Sequence, residues 1–99
     1  MKRTIVRYKA APDRIEENKR LIEAVFQELH AQGLTGVRYA ALALPDGTFI
    51  HMSEAEDDAP RPITSLDAFR TYVAGIAERC TEQPVPAAAT IVGNYRMLG

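Results

Sequence analysis

Residues 36–54, GVRYAALALPDGTFIHMSE, contain two strand-like segments on either side of a turn signal. Gly36 to Leu44 carries apolar side chains at almost every position, and Thr48 to Glu54 is rich in residues that favour strands. Between them, Pro45-Asp46-Gly47 is typical of a hairpin, because an Asp-Gly pair tolerates the positive φ that a tight turn requires. The sequence therefore predicts a β-hairpin in the middle of the chain.

The residues before this hairpin change from strand periodicity to helix periodicity. Thr4 to Ala10 reads as a strand, with Val6 and Tyr8 on one face, and Pro12-Asp13 ends it. A helix is predicted from about Asp13 to Ala31, because apolar residues recur at helical spacing and Gly33 is a natural C-terminal cap. The apolar stripe of this helix consists of Ile15, Leu21, Ile22, Val25, Phe26 and Leu29.

A second helix and a last strand are predicted after the hairpin. Ala55 to Pro62 is an acidic loop, after which Thr64 or Ser65 caps a helix that Pro84 and Pro86 terminate. The buried stripe of this helix is predicted to comprise Leu66, Phe69, Val73, Ile76 and Cys80. Ala87 to Leu98 is predicted to be the last strand. The order is β-α-β-β-α-β, which indicates an α+β, ferredoxin-like fold with a four-stranded antiparallel sheet and two helices on one face.

The other face of such a sheet has nothing in the chain to cover it. With a two-residue turn at Asp46-Gly47, the open face would carry apolar residues of both hairpin strands: Ala40, Leu42, Leu44 and Phe49. The face toward the helices would then carry Val37, Ala41, Ile50 and Met52. An uncovered apolar face of this size indicates an interface. The simplest partner is a second copy, so we expect a two-fold homodimer, sheet against sheet, closing into a barrel.

Length and composition exclude several classes of protein. The chain has 99 residues and is 46% hydrophobic, which predicts one globular domain over residues 1–99. A net charge of −1 argues against nucleic-acid binding. No apolar run is long enough for a membrane span, and the N-terminus lacks a signal-peptide hydrophobic region. The single cysteine, Cys80, fits a reducing compartment, so we expect a cytoplasmic protein.

The chain resembles the dimeric α+β barrel superfamily, and within it the antibiotic-biosynthesis-monooxygenase-like group. The resemblance is carried by Ala11-Pro12-Asp13 before a helix containing Glu17-Asn18, the Asp46-Gly47 hairpin, the Leu66-Asp67-Ala68-Phe69 helix and the closing Val92-Gly93-Asn94-Tyr95-Arg96. It implies a homodimer with a pocket in each half, and members include cofactor-independent oxygenases, haem-degrading enzymes and isomerases. The sequence has no tryptophan, which the oxygenase and haem-degrading members usually place at the pocket.

His51 is the candidate catalytic residue. A two-residue turn would place it opposite Leu42, on the face of Arg38 and pointing into the barrel. A histidine in a mostly apolar pocket can act as general acid or base near neutral pH. The structural alternative is a hydrogen-bonded barrel histidine without a catalytic role.

Arg7, Arg38 and Tyr72 are the candidate substrate-binding residues. An arginine inside a closed sheet needs a partner, which would be an anionic ligand or an acid such as Glu54, unless the arginine lies in water at the barrel mouth. Tyr72 lies beside the stripe of the second helix, where it lines a pocket entrance or simply packs. No metal site is predicted, because the acidic residues 54–58 lack EF-hand spacing, and no cofactor motif occurs.

Two functions are compatible with this sequence. The first is an enzyme that binds a small organic molecule and carries out cofactor-independent oxygenation or proton transfer, with His51 as acid or base. The second is a non-catalytic ligand-binding or interaction module of the same fold. A pocket lined by His51 and an arginine favours the enzyme, whereas a barrel lumen filled by side chains favours the module.

Overall fold

A computed structural model describes residues 1–98 and contains four strands and three α-helices. In chain order these are β1 (Lys2–Ala10), α1 (Ile15–Gln32), β2 (Val37–Ala43), β3 (Thr48–Ala55), α2 (Asp67–Ala74), α3 (Ile76–Arg79) and β4 (Cys80–Ala88). Short 3-10 turns at Pro12–Arg14 and Ile63–Ser65 precede α1 and α2. No helix within residues 1–98 is long and apolar enough to cross a membrane.

The strands form one antiparallel sheet in the order β2-β3-β1-β4, which confirms the predicted α+β ferredoxin-like fold. The helices cover one face, and the core forms where their apolar side chains meet the sheet. This core contains Val25 of α1, Leu66 before α2, and Tyr8 and Phe49 of the sheet, all of which are buried. The open face carries the alternate residues of every strand.

The hairpin between β2 and β3 has a three-residue loop rather than the predicted two-residue turn. The Leu44 N–H donates to Thr48 O at 2.8 Å, so Pro45, Asp46 and Gly47 form the loop. Gly47 takes a left-handed conformation with φ of 89°. This pattern, with glycine as the last loop residue, is typical of three-residue hairpin loops.

The loop shifts the register by one residue and turns β3 over relative to the prediction. His51 pairs with Ala41 rather than with Leu42, and it faces the helices. Phe49 also faces the helices, so its expected place on the open face is wrong. The expected places of Ile50 and Met52 against the helices are wrong for the same reason. The cause is the side-chain period of two, because any one-residue slip exchanges the two faces of a strand.

The last strand also differs from the prediction. β4 is Cys80–Ala88, whereas the segment from residue 89 to residue 98 contains no strand. Pro84 and Pro86 lie inside this strand instead of ending a helix, and Cys80 is its first residue instead of the last member of a helical stripe. An edge strand tolerates proline, because alternate N–H groups on its free side have no partner in the sheet.

The start of α2 is stabilised by α1 rather than by a local cap. The predicted caps Thr64 and Ser65 are not used, since Leu66 occupies the N-cap position and makes no side-chain cap bond. Instead the Glu28 carboxylate accepts hydrogen bonds from the N–H groups of Asp67 at 3.3 Å and Ala68 at 2.7 Å. A carboxylate at a helix N-terminus satisfies free donors and favours the helix dipole. Glu28 therefore ties the two helices together on the sheet.

The hairpin loop can be tested by comparing two glycines. A Cβ at Gly47 would lie 3.1 Å from Ala10 O and 3.3 Å from Ile15 Cδ1, and the residue would have to adopt φ of 89°. We expect Gly47→Ala to lower the free energy of unfolding by about 2–3 kcal/mol in urea denaturation followed by circular dichroism. Gly33→Ala is the matched control, because Gly33 has φ of 58° but a Cβ there would meet no atom within 4 Å. Gly33→Ala should lower the free energy of unfolding by only about 1 kcal/mol. Equal decreases for the two variants would contradict the steric role of Gly47.

Candidate functional site

His51 lies at the centre of a ring of phenols between the sheet and the helices. Its side chain is 5% exposed. The Tyr8 hydroxyl is 2.9 Å from His51 Nε2, and the Tyr39 hydroxyl is 2.5 Å from His51 Nδ1. The Tyr72 hydroxyl lies 3.3 Å from Nε2 and donates to the Tyr8 hydroxyl at 2.7 Å. Both imidazole nitrogens are therefore hydrogen-bonded to tyrosines.

Two further buried polar residues extend this network away from His51. Asn18 of α1 is fully buried, and its Nδ2 donates to the Tyr8 hydroxyl at 2.8 Å. Arg79, at the end of α3, is 3% exposed; its Nε donates to Asn18 Oδ1 at 3.0 Å, and its Nη2 donates to the Tyr72 carbonyl at 2.6 Å. The guanidinium carbon is 5.5 Å from the centre of the Tyr72 ring. The network thus runs from Tyr39 to Arg79 and joins β1, β2 and β3 to the helices.

The sequence reasoning missed Asn18, Arg79, Tyr8 and Tyr39 as members of this site. Asn18 carried a signal, since it lies between Ile15 and Ile22 on the apolar stripe of α1, where an amide needs buried partners. Arg79 carried none, because an arginine near a helix end usually lies in water. Only the packing of α3 against the sheet brings it to Asn18.

Burial sets the charge state of the network. Desolvation lowers the pKa of His51 to about 4, so the imidazole is neutral at pH 7. Desolvation also raises the pKa of Tyr39 and of Tyr72 well above the ordinary value of a phenol. The site therefore consists of neutral hydrogen-bonding groups, with Arg79 as its one buried cation among the described residues.

A cavity of about 320 Å³ opens beside this network. Its polar lining comes from Tyr39, His51, Ser53, Thr64 and Tyr72. Its apolar lining comes from Val6, Ile63, Phe69, Val73, Ile76, Pro84 and Pro86. An apolar cavity with a few converging polar groups is the usual form of a small-molecule site. It can accept a compact organic molecule whose polar group meets His51 or a neighbouring phenol.

The structure separates two of the predicted substrate-binding residues from His51. Tyr72 lines the His51 cavity, but Arg7 and Arg38 lie exposed on the open face of the sheet. The expectation that His51 shares a face with Arg7 and Arg38 is wrong, because the one-residue register shift turned His51 toward the helices. Arg38 lines a separate hollow of about 560 Å³ on the open face, which includes Glu54 but none of the network around His51 except Tyr39.

The described part of the chain does not bring together side chains of the kinds that bind metal ions. No group of three or more His, Cys, Asp or Glu side chains between residues 1 and 98 could hold a metal ion. The polar groups at the cavity are phenols, one imidazole and two hydroxyls, which can donate or accept protons. The chemistry that this site can carry out with its own residues is acid–base chemistry.

The fold is shared with several solved structures. An antibiotic biosynthesis monooxygenase matches with a TM-score of 0.73 and 16% identity, covering 94% of this chain and 100% of that chain. Rv0793 from Mycobacterium tuberculosis matches with a TM-score of 0.73 and 17% identity over 94% and 96% of the two chains. The NE2512 protein of unknown function from Nitrosomonas europaea matches with a TM-score of 0.70 and 15% identity over 99% and 95%. No protein-family model matches the sequence, and no curated protein matches it significantly.

The chain therefore has an α+β, ferredoxin-like fold. More particularly, this fold is that of solved antibiotic biosynthesis monooxygenase structures, which confirms the resemblance in fold seen in the sequence. The likeness extends over more than nine-tenths of the chain. At these identities it concerns the fold, and the residues around His51 must be interpreted from their own geometry.

The burial of neutral His51 predicts a pH-dependent stability. Below about pH 6.5 the unfolded chain binds a proton on this imidazole, whereas the folded chain does so only near pH 4. We therefore expect the free energy of unfolding to be highest above pH 6.5 and to fall by up to about 3 kcal/mol between pH 6.5 and 4. His51→Gln should flatten this part of the profile in urea unfolding. His30→Gln, at an exposed position of α1, is the control, and an equal flattening by both variants would contradict the assignment.

Proposed function

We propose that this protein is a cytoplasmic homodimer in which each subunit binds a small, mainly apolar organic molecule in the cavity beside His51. There it catalyses a cofactor-independent reaction that begins with a proton transfer through His51. The observation that carries this proposal is a neutral, buried imidazole at a cavity wall, hydrogen-bonded on both nitrogens to phenols. A neutral imidazole can accept a proton at one nitrogen while it releases one at the other. The unpaired Cys80 agrees with a reducing compartment.

The fold favours oxygenation as the reaction that follows the proton transfer. A structure with this fold is described as an antibiotic biosynthesis monooxygenase. Removal of a proton from an electron-rich hydroxyl compound makes that compound itself a better reductant of oxygen, so no separate cofactor is required. The proton-transfer step alone would support an isomerisation. Both reactions require His51 to take part in moving a proton from or to the ligand.

The alternative function is a non-catalytic binding module of the same fold. The extent of the polar network favours the enzyme, because it brings groups that can donate and accept protons to the wall of the cavity. A module that only binds an apolar molecule needs none of them. The two functions differ in what loss of the His51 imidazole should do. The enzyme would lose proton transfer with a ligand that carries a hydroxyl, whereas the module has no reaction to lose.

The cavity can be tested with 1-naphthol, a fluorescent hydroxy-aromatic compound of suitable size. We expect saturable binding with one molecule per subunit in a fluorescence titration. Val73→Trp places a large ring where Val73 lines the cavity and should abolish binding. Thr71→Trp is the matched control, because Thr71 is exposed on the same helix and does not line the cavity.

The role of His51 is tested with the same probe. His51→Phe should weaken binding of 1-naphthol by about tenfold, because Tyr39, which lines the cavity, loses the hydrogen-bond partner that orients its hydroxyl. Binding of naphthalene, which lacks the hydroxyl, should stay within about twofold. Equal effects on both compounds, or undiminished binding by Val73→Trp, would contradict the proposed site.

The homodimer is supported by an apolar strip on the open face of the sheet. Cross-strand pairing aligns Ala40, Met52, Ile5 and Ala87 in one row across all four strands. The next row contains Leu42, Ile50, Arg7 and Val85, of which Leu42 is 50% and Val85 is 65% exposed. A contiguous apolar surface of this kind indicates a protein interface. A second copy placed face to face would cover it with an identical strip.

Sedimentation velocity at micromolar concentration tests the dimer. The wild-type chain should sediment as a species of twice 10.9 kDa. Leu42→Glu should shift it to the monomer, because each two-fold interface would have to bury two carboxylates without partners. Ala24→Glu, which adds the same charge at an exposed position of α1, should leave the dimer intact. A wild-type monomer, or a Leu42→Glu dimer, would contradict this interface.

A further inference from the structure

Arg79 is a buried cation without an acidic partner in the described part of the chain. Its guanidinium is 3% exposed, and no carboxylate of residues 1–98 forms an ion pair with it. It is held only by neutral groups, namely Asn18 Oδ1, the Tyr72 carbonyl and the Tyr72 ring. Burial of an uncompensated charge is costly, so its presence calls for a role in the chemistry of the site.

The hydrogen bonds from Arg79 fix the orientation of Asn18. A guanidinium has donors only, so the Asn18 atom that faces Arg79 at 3.0 Å must be the carbonyl oxygen. The amide nitrogen of Asn18 therefore faces Tyr8 and donates to its hydroxyl oxygen at 2.8 Å. Tyr72 donates to the same oxygen at 2.7 Å. Both lone pairs of the Tyr8 oxygen are thereby occupied.

The hydrogen bonds from Tyr8 to His51 and from His51 to Tyr39 then all have their donors pointing toward the cavity. The Tyr8 hydrogen has His51 Nε2 as its acceptor at 2.9 Å. Since the imidazole is neutral, its own hydrogen is on Nδ1, and it is donated to the Tyr39 oxygen at 2.5 Å. The Tyr39 hydrogen is then the only one in this chain of donors without an acceptor among the network residues. Tyr39 lines the cavity, so this hydrogen is available to a ligand.

We propose that Arg79 orients a chain of donors, Arg79–Asn18–Tyr8–His51–Tyr39, and that the cavity takes a ligand whose oxygen accepts the Tyr39 hydrogen and carries or develops negative charge. The inference rests on the proposed function and adds the class of ligand and the direction of proton transfer. Arg79 is a positioning residue, since it acts through Asn18 and does not line the cavity. Tyr39 is the group that meets the ligand.

The proton transfer balances within the network. The Tyr39 O–H bond breaks as a new O–H bond forms on the ligand oxyanion, and the Tyr39 oxygen takes the hydrogen of His51 Nδ1. His51 Nε2 takes the hydrogen of Tyr8, so the imidazole stays neutral and changes tautomer. The negative charge moves from the ligand to the Tyr8 oxygen. There it receives hydrogen bonds from Asn18 and Tyr72, and Asn18 links it to Arg79.

The same chain removes a proton from a ligand hydroxyl when Tyr8 starts as the phenolate and His51 carries its hydrogen on Nε2. The ligand proton then passes to the Tyr39 oxygen, the Tyr39 hydrogen passes to His51 Nδ1, and the Nε2 hydrogen passes to the Tyr8 oxygen. In both directions the ligand is an oxygen acid, such as a phenol or an enol, attached to an apolar body that fits the cavity. An amine is disfavoured, because its cation would share a buried site with Arg79 and would meet a hydrogen donor at Tyr39. The apolar side chains Val6, Phe69 and Ile76 set the character of the ligand body.

The first arm of the test needs no ligand. Nitrogen-15 NMR of the labelled protein at pH 7 distinguishes the two neutral tautomers of His51, and we expect the Nδ1–H form, which is the minor form of free histidine. Arg79→Met should shift the population toward Nε2–H, because Asn18 is then free to turn, whereas Arg79→Lys should restore Nδ1–H in part. Arg70→Met, at an exposed position of α2, should change nothing. A wild-type Nε2–H tautomer would overturn the proposal.

The second arm uses 4-nitrophenol, whose absorption reports its ionisation, and its neutral methyl ether 4-nitroanisole. The wild-type protein should bind 4-nitrophenolate at least tenfold more tightly than the ether. Tyr39→Phe and Arg79→Met should each remove most of this preference, and Arg70→Met should keep it. Equal affinity of the wild type for phenolate and ether would overturn the inference. Absence of binding by both compounds, together with an Nδ1–H tautomer, would overturn the proposed function and leave the orientation of the donors established.

Discussion

The register of the β2–β3 hairpin is the constraint on which the site depends. A three-residue loop closed by Gly47 places His51 opposite Ala41 and turns it toward the helices. A two-residue loop would turn the same imidazole to the open face, away from Tyr8 and Tyr72. The contacts of His51 with Tyr8, Tyr39 and Tyr72, and its place at the cavity, therefore follow from one additional loop residue. Backbone geometry outside the site decides the chemistry inside it.

The two faces of the sheet have different roles. On the helix side, buried polar groups satisfy one another, which makes the network rigid. On the open side, the rows containing Met52 and Leu42 are apolar except for Arg7, and Leu42 and Val85 are exposed. A chain of this length has a thin core, so burial of the open face against a second copy would add stability where a single copy lacks it.

The comparison with solved structures separates fold from chemistry. Solved structures with only 15–17% identity share this sheet and its helices over nearly the whole chain, so the fold persists while most of the residues differ. The likeness does not extend to the site, because function resides in particular side chains and not in the fold. In this chain the side chains around the cavity network are a histidine, three tyrosines, an asparagine and a buried arginine, and the sequence contains no tryptophan.

The sequence by itself determined the element order, the first helix with its Gly33 cap and the apolar character of both sheet faces, and it singled out His51 as a candidate. These are properties of local periodicity and residue type, which need no knowledge of distant partners. The sequence-based prediction was wrong where a one-residue difference in loop length sets which face a side chain takes, as in β3. It was also wrong at Pro84 and Pro86, because these prolines are acceptable in a strand only when that strand lies at the edge of the sheet, as β4 does. Asn18 and Arg79 are 61 residues apart, and no local pattern joins them. Only the tertiary structure brings that amide and that cation to Tyr8, because their pairing depends on how the helices pack on the sheet.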